Sequence, residues 1–295
     1  MRALLLLIIS LIFFLLTLSC NKGDDIANKI VLTQLVFKGD TMINNQAELV
    51  NFAIQGYTNI EGNLTISGVT DLTPLNNITT IDGSVLIKDN PDLVTLSGFS
   101  GLKTISASLS ISNNQALTSI KGFEQLETVE IFFVYKNDVL KNIDSFSQLK
   151  KADLLDITFN SELVSIEAFS NLERLSGIAI KRNPKLTTIS PFSKLTEISK
   201  SLEIKNNNSL LGLNGFISLQ KIGESMVITE NISLTDLEGL SNVKTIGADC
   251  TIIDNENLND FCALRNTSFS DMSYSVFGNL HNPTKEQLTD SNCRD

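Results

Sequence analysis

Asparagine returns along this chain at a nearly fixed interval. Asn90, Asn114, Asn137, Asn160, Asn183, Asn207, Asn231 and Asn255 follow one another in steps of 23 or 24 residues. Each sits in the same frame of apolar residues. One unit reads Val85, Ile87, Asn90, Leu93, Leu96, Phe99, Leu102 and Ile105. The next reads Leu109, Ile111, Asn114, Leu117, Ile120, Phe123, Leu126 and Val129, and a later one Leu202, Ile204, Asn207, Leu210, Leu213, Phe216, Leu219 and Ile222. The pair at i and i+2 is the alternation of a strand, in which successive side chains point to opposite faces. The remaining apolar residues fall every third position, which fits a coil bending round a core and not the 3.6-residue period of a helix. A unit this short cannot bury its own apolar face, so units must stack. The expected fold is mostly β: a right-handed parallel β-helix, or leucine-rich solenoid, of about nine coils of 23–24 residues with an N-terminal helical cap.

The recurring Asn is expected to be structural. A primary amide both donates and accepts, so it can serve the turn backbone and the identical amide in the next coil, as in-register amide ladders do. Phe99, Phe123, Phe146, Phe169, Phe192 and Phe216 share one phase of the coil and are expected to stack inside it. Both ends of such a stack need lids. Asn45 to Ile54 reads as an amphipathic helix opened by Asn45 and Glu48 and closed by Gly56, with Leu49, Phe52 and Ala53 facing the first coil. That coil begins at Ile60 and lacks the Asn. The frame fades after Leu258 and Phe261, which leaves residues 266–295 as a C-terminal cap with a short helix after Pro283. The expected solenoid therefore spans 40–265, its helical cap 45–55, preceded by a tether and first strand at 20–39.

The first 19 residues read as a signal peptide, with Arg2 ahead of an apolar run from Ala3 to Leu16. Leu16-Thr17-Leu18-Ser19-Cys20 resembles the lipobox of bacterial lipoproteins, whose cysteine is acylated; Thr17 stands where that family usually has Leu. Asn21-Lys22-Gly23-Asp24-Asp25 resembles the export tag of lipoproteins sent to the outer cell surface. The resemblance implies lipidation at Cys20 and attachment to the outer membrane, with the bulk of the chain exposed. Cys250 falls at a core position, whereas Cys262 and Cys293 both lie near the C-terminus, where an oxidising compartment would let them pair. Sequence alone leaves the pairing among the three open.

Tyr57-Thr58-Asn59-Ile60-Glu61-Gly62-Asn63-Leu64-Thr65-Ile66, following the predicted helix, resembles the opening of receptor L-domain-like leucine-rich proteins, which occur as bacterial surface lipoproteins. Their fold is related to the ligand-binding L domains of growth-factor receptors and to some fungal wall proteins. The resemblance covers roughly residues 40–265. It implies a right-handed solenoid with a helical N-terminal lid and, more loosely, binding or adhesion.

The chain offers little conventional chemistry. It has no phosphate-cradling glycine motif, no serine elbow and no Cys-x-x-Cys, and its single His281 has no partner at metal-ligand spacing. No catalytic residue, metal site or cofactor is expected. A net charge of −10 argues against nucleic acid, which selects basic stripes. The outward strand positions run Thr65 and Ser67, Leu86 and Lys88, Ser110 and Ser112, Phe133 and Tyr135, Asp156 and Thr158, Ala179 and Lys181, Glu203 and Lys205, Val227 and Thr229, with no paired carboxylates on neighbouring coils. Phe133 and Tyr135 break the polar series and are the candidate ligand-binding residues, unless loops cover them or the register slips there. The expected role is a non-catalytic binding or adhesion module for an extracellular protein or glycan. A structural cell-envelope protein is the first alternative, and a carbohydrate-active β-helix enzyme the second.

Overall fold

The repeat closes into coils because the backbone groups of each unit find their partners in the next. In the computed structural model, which describes residues 34–269, 273–289 and 292–294, strands are joined only to strands of neighbouring coils and always in parallel. The long face is an eleven-stranded sheet running from Thr41–Ile43 at one edge to Tyr274–Phe277 at the other. Three further sheets of four short strands each line the other sides of the coil. The chain is thus a mostly β solenoid of about ten turns spaced about 23 residues apart.

The solenoid is longer than the sequence frame suggests, at both ends. Val36–Lys38 and Thr41–Ile43 already pair in register with Asn59–Glu61 and Leu64–Ile66, so a coil precedes the one at Ile60. The helix, Gln46–Ala53, stands in that first coil in place of its turn. Its N-cap is Asn45, whose side-chain oxygen accepts from the Glu48 amide at 3.0 Å, while Glu48 accepts from the Asn44 amide at 2.8 Å. Leu49 is fully buried, and Phe52 and Ala53 pack against the core beside Phe37 and Tyr57. At the other end Tyr274–Phe277 adds a strand beyond the expected limit at 265, followed by Asn279 in the ladder position. A five-residue helix, Lys285–Thr289, then covers the last coil with Leu288, and a Cys262–Cys293 disulfide fastens the tail.

The interior holds one continuous file of each residue type. The Phe rings from Phe99 to Phe216 stack face to face with centroids 5.4–5.8 Å apart. Beside them runs the amide file. Each ladder Asn is buried, and from Asn114 onward its Oδ1 accepts from both the backbone N–H and the Nδ2 of the Asn one coil earlier; Asn160 reaches Asn183 Oδ1 in this way at 3.0 and 3.3 Å, while Asn90 Oδ1 accepts from the Val69 amide at 2.9 Å. Each Nδ2 also donates backwards to a strand carbonyl, as Asn183 does to Ile157 at 2.9 Å. Among the described residues no buried side-chain nitrogen or oxygen lacks a partner. The ladder stabilises because a polar file placed in a dry core has every group satisfied.

Candidate functional site

The residue before each ladder Asn takes a left-handed backbone conformation, because the chain must leave the strand and turn its next amide inward. Asp89, Asn113, Lys136, Phe159, Arg182, Asn206, Glu230 and Asp254 all have φ between 51° and 60°. Gly68 and Gly278 hold the same place at the two ends, with φ of 61° and 71°. Gly, Asn and Asp adopt this conformation at little cost, whereas a bulky side chain costs roughly 1–2 kcal/mol there. Lys136, Phe159 and Arg182 nevertheless occupy it on three consecutive coils at mid-solenoid, and Glu230 does so two coils further on. A run of three such residues points from geometry towards function.

The strands beside this row carry the aromatic residues. Ile131–Tyr135 keeps unbroken five-residue register with Ser108–Ser112 on one side and Leu154–Thr158 on the other, so no slip accounts for its composition. Phe133 and Tyr135 project from the outer face as expected, but they are half-buried. Their rings lie nearly parallel, 5.6 Å apart, and Tyr135 meets Phe159 edge to face at 5.6 Å. Lys136 places its ammonium 5.1 Å from the Tyr135 centroid, and the Arg182 guanidinium lies 4.7 Å from that of Phe159. Ile131 adds an exposed aliphatic side chain at the start of the same strand. The result is an aromatic layer whose cations are braced by the rings.

Charge across this patch is unevenly matched. Lys181 lies between Asp156 at 4.0 Å and Glu203 at 3.6 Å, and Glu203 also holds Lys205 at 3.1 Å. Asp156 additionally accepts from the Thr158 hydroxyl. Among the described residues, Lys136 and Arg182 have no carboxylate within ion-pair distance, as is also true of Lys103, Lys121, Lys141, Lys151, Arg174 and Lys200, whereas Lys38, Lys150, Lys185, Lys194 and Lys221 each pair with a Glu. What distinguishes Lys136 and Arg182 is that each lies over an aromatic ring. Thr158, Phe159, Lys181, Arg182, Lys205 and Asn206 enclose an open depression of about 290 Å³.

Sequence reasoning singled out Phe133 and Tyr135 and passed over Phe159, Lys136 and Arg182, which the structure places beside them. Strand alternation says nothing of the turn residue that follows it. The signal was nonetheless present as a column, read one place before each Asn. The Asn ladder is one continuous array from Asn90 to Asn255, extended by Asn279. Cys262 and Cys293 are joined, with Cα atoms 4.9 Å apart, and Cys250 is a buried free thiol. Burial pushes that thiol up to about 12, so it stays protonated and unreactive. Cys20 and the signal peptide lie outside the described residues. No group of metal-ligating side chains, and no helix long and apolar enough to cross a membrane, occurs among the described residues. No protein-family model, curated protein or solved structure matches the chain.

Proposed function

We propose that this chain is a non-catalytic binding or adhesion module that uses the mid-solenoid patch on its long sheet, displayed at a bacterial cell surface by a lipid on Cys20. The observation that carries the binding role is the coincidence, on three adjacent coils, of aromatic side chains, unpaired cations and strained turn residues. Elsewhere the outer face is mostly Ser, Thr and Lys. Exposed aromatic and Arg side chains on a rigid surface are the usual anchors of an interface, because they bury area with little loss of side-chain freedom. The anchor rests on the sequence of residues 1–25, and the likeness to receptor L-domain-like surface lipoproteins supports the same reading. A non-catalytic role fits the arrangement of the outward carboxylates. Asp156 and Glu203 are separated by the strand of Ala179, and both engage Lys181, so neither is held as a free acid or base.

The decisive experiment is an array of glycans and extracellular proteins probed with the wild type and with a Phe133→Ala, Tyr135→Ala double variant. At least one ligand is expected to bind the wild type and to weaken tenfold or more in the variant, since truncating interface anchors typically costs over 1 kcal/mol each. Ligands that bind both forms equally would remove the patch as the binding surface, and an array on which nothing binds would leave a structural role. Proteolysis of intact cells tests the surface location separately: shaving that fails to release the solenoid would place it on the inner side of the membrane.

A further inference from the structure

Resting on that reading of the patch, we infer that its ligand is a carboxylate-bearing polysaccharide, laid along the solenoid axis over Lys136, Phe159, Arg182 and Asn206. The first ground is charge. On a chain of net charge −10, Lys181, Arg182 and Lys205 line one depression, where Asp156 and Glu203 engage the two lysines and Glu230 accepts from Asn206, and Lys136 stands two coils earlier in the same turn row as Arg182. Lys181 and Lys205 are already matched by those acids, so the charge left to a ligand is that of Lys136 and Arg182. Both are exposed. Arg182 is braced on the Phe159 ring, which holds its planar fork ready for a carboxylate at small entropic loss.

The second ground is the form of the surface. Lys136, Phe159, Arg182 and Asn206 follow one another coil by coil, each with its amide donating to the strand carbonyl of the next coil. Their spacing is that of neighbouring strands, about 4.8 Å, close to the length of one pyranose residue. An extended chain of sugars lying along the axis therefore meets an equivalent position at each residue. The third ground separates a glycan from an acidic peptide. The main-chain groups of this sheet are engaged with neighbouring strands on both sides, and the sheet edges lie several coils away, so a peptide finds no strand edge to pair with. Recognition has to pass through side chains. Those of the depression offer a hydroxylated ring the Arg182 fork and the edge of the Phe159 ring, with Asn206 Oδ1 beside them.

The test uses the full-length chain in mild detergent and isothermal titration with oligogalacturonate, oligoguluronate and hyaluronan oligosaccharides. Controls are the methyl-esterified oligogalacturonate and an oligoglutamate peptide of equal charge. Arg182→Ala and Phe159→Asn are the informative variants. Arg182 is exposed, and Asn suits a left-handed turn better than Phe, so both variants should fold; circular dichroism checks this. At least one uronate is expected to bind, and to weaken on the order of tenfold to a hundredfold in Arg182→Ala, the range for losing a charge-assisted hydrogen bond. Esterification is expected to cause a similar loss, and Arg182→Lys to restore part of the affinity. No binding by any uronate, indifference to esterification or to Arg182→Ala, or equal affinity for oligoglutamate would each overturn the inference. If the array instead yields a neutral glycan or a protein whose binding depends on Phe133 and Tyr135, the patch keeps its binding role and only the carboxylate class fails.

Discussion

At the scale of single residues, the ladder asparagines carry the largest stability debt in the chain. Replacing Asn183 with Ala strips the acceptor from both the amide and the Nδ2 of Asn160 and removes a donor from the Ile157 carbonyl. Each buried group left without a partner costs about 1–3 kcal/mol, so the variant is expected to lose about 3 kcal/mol or more. The measurement is the guanidinium midpoint, with Asn279→Ala as the comparison. Asn279 sits at the wetter end and should cost less. Cys250 gives a second prediction. Burial raises its folded pKa from 9.0 to about 12, so the native state resists ionisation while the unfolded chain does not. The stability due to the protonated thiol is complete below 9.0 and is lost as pH rises towards 12. Tyr274, raised by burial too, acts in the same direction. Alkaline unfolding should therefore be shallower in Cys250→Ala, and iodoacetamide at pH 8 should label Cys250 only after denaturation. The ladder was legible in the sequence because one polar residue type recurs among apolar ones. Phe159 and Arg182 were passed over, since strand alternation does not reach the turn residue before each Asn, whose left-handed backbone sets it apart.

At the scale of elements, the two ends explain where sequence reading fell short. The frame weakens after Phe261 because the last strand offers the half-buried Tyr274 where the three coils before it have Leu202, Met226 and Cys250, yet Asn279 keeps its interval from Asn255. The first coil hides for a different reason: a helix replaces its turn, so no ladder Asn marks it. The disulfide belongs to this scale as well. It joins residues 31 apart across the final coil, and Phe261 donates its amide to the Cys293 carbonyl at 2.9 Å. Removing it with Cys262→Ala and Cys293→Ala is expected to cost about 4 kcal/mol on chain-entropy grounds. The loss should be local. Hydrogen exchange is expected to accelerate in Tyr274–Phe277 and to stay unchanged in Leu154–Thr158; equal acceleration in both would mean that the tail supports the whole stack and not its last turn.

For the solenoid as a whole, contacts reach only from one coil to the next, so whole coils should be removable while fractions of a coil should not. Deleting residues 207–230 removes one 24-residue period and joins Asn206 to Asn231, which restores the turn and the ladder in register. This shortened chain is expected to keep its β-sheet circular dichroism with a modestly lower melting temperature. A deletion of half that length should abolish folding, because it moves the apolar frame out of phase with its neighbours. The amide file also has a direction. Each Asn gives its N–H and Nδ2 to an oxygen that lies later in the chain, and the series stops only at Asn282, which accepts from Asn279 at 3.0 and 3.1 Å from three residues away. When the chain coils up from its N-terminal end, then, every newly formed turn waits for acceptors that lie later in the sequence. The growing tip stays sticky for another amide until Asn282 arrives to plug it, and a message cut short before that codon would leave the tip open.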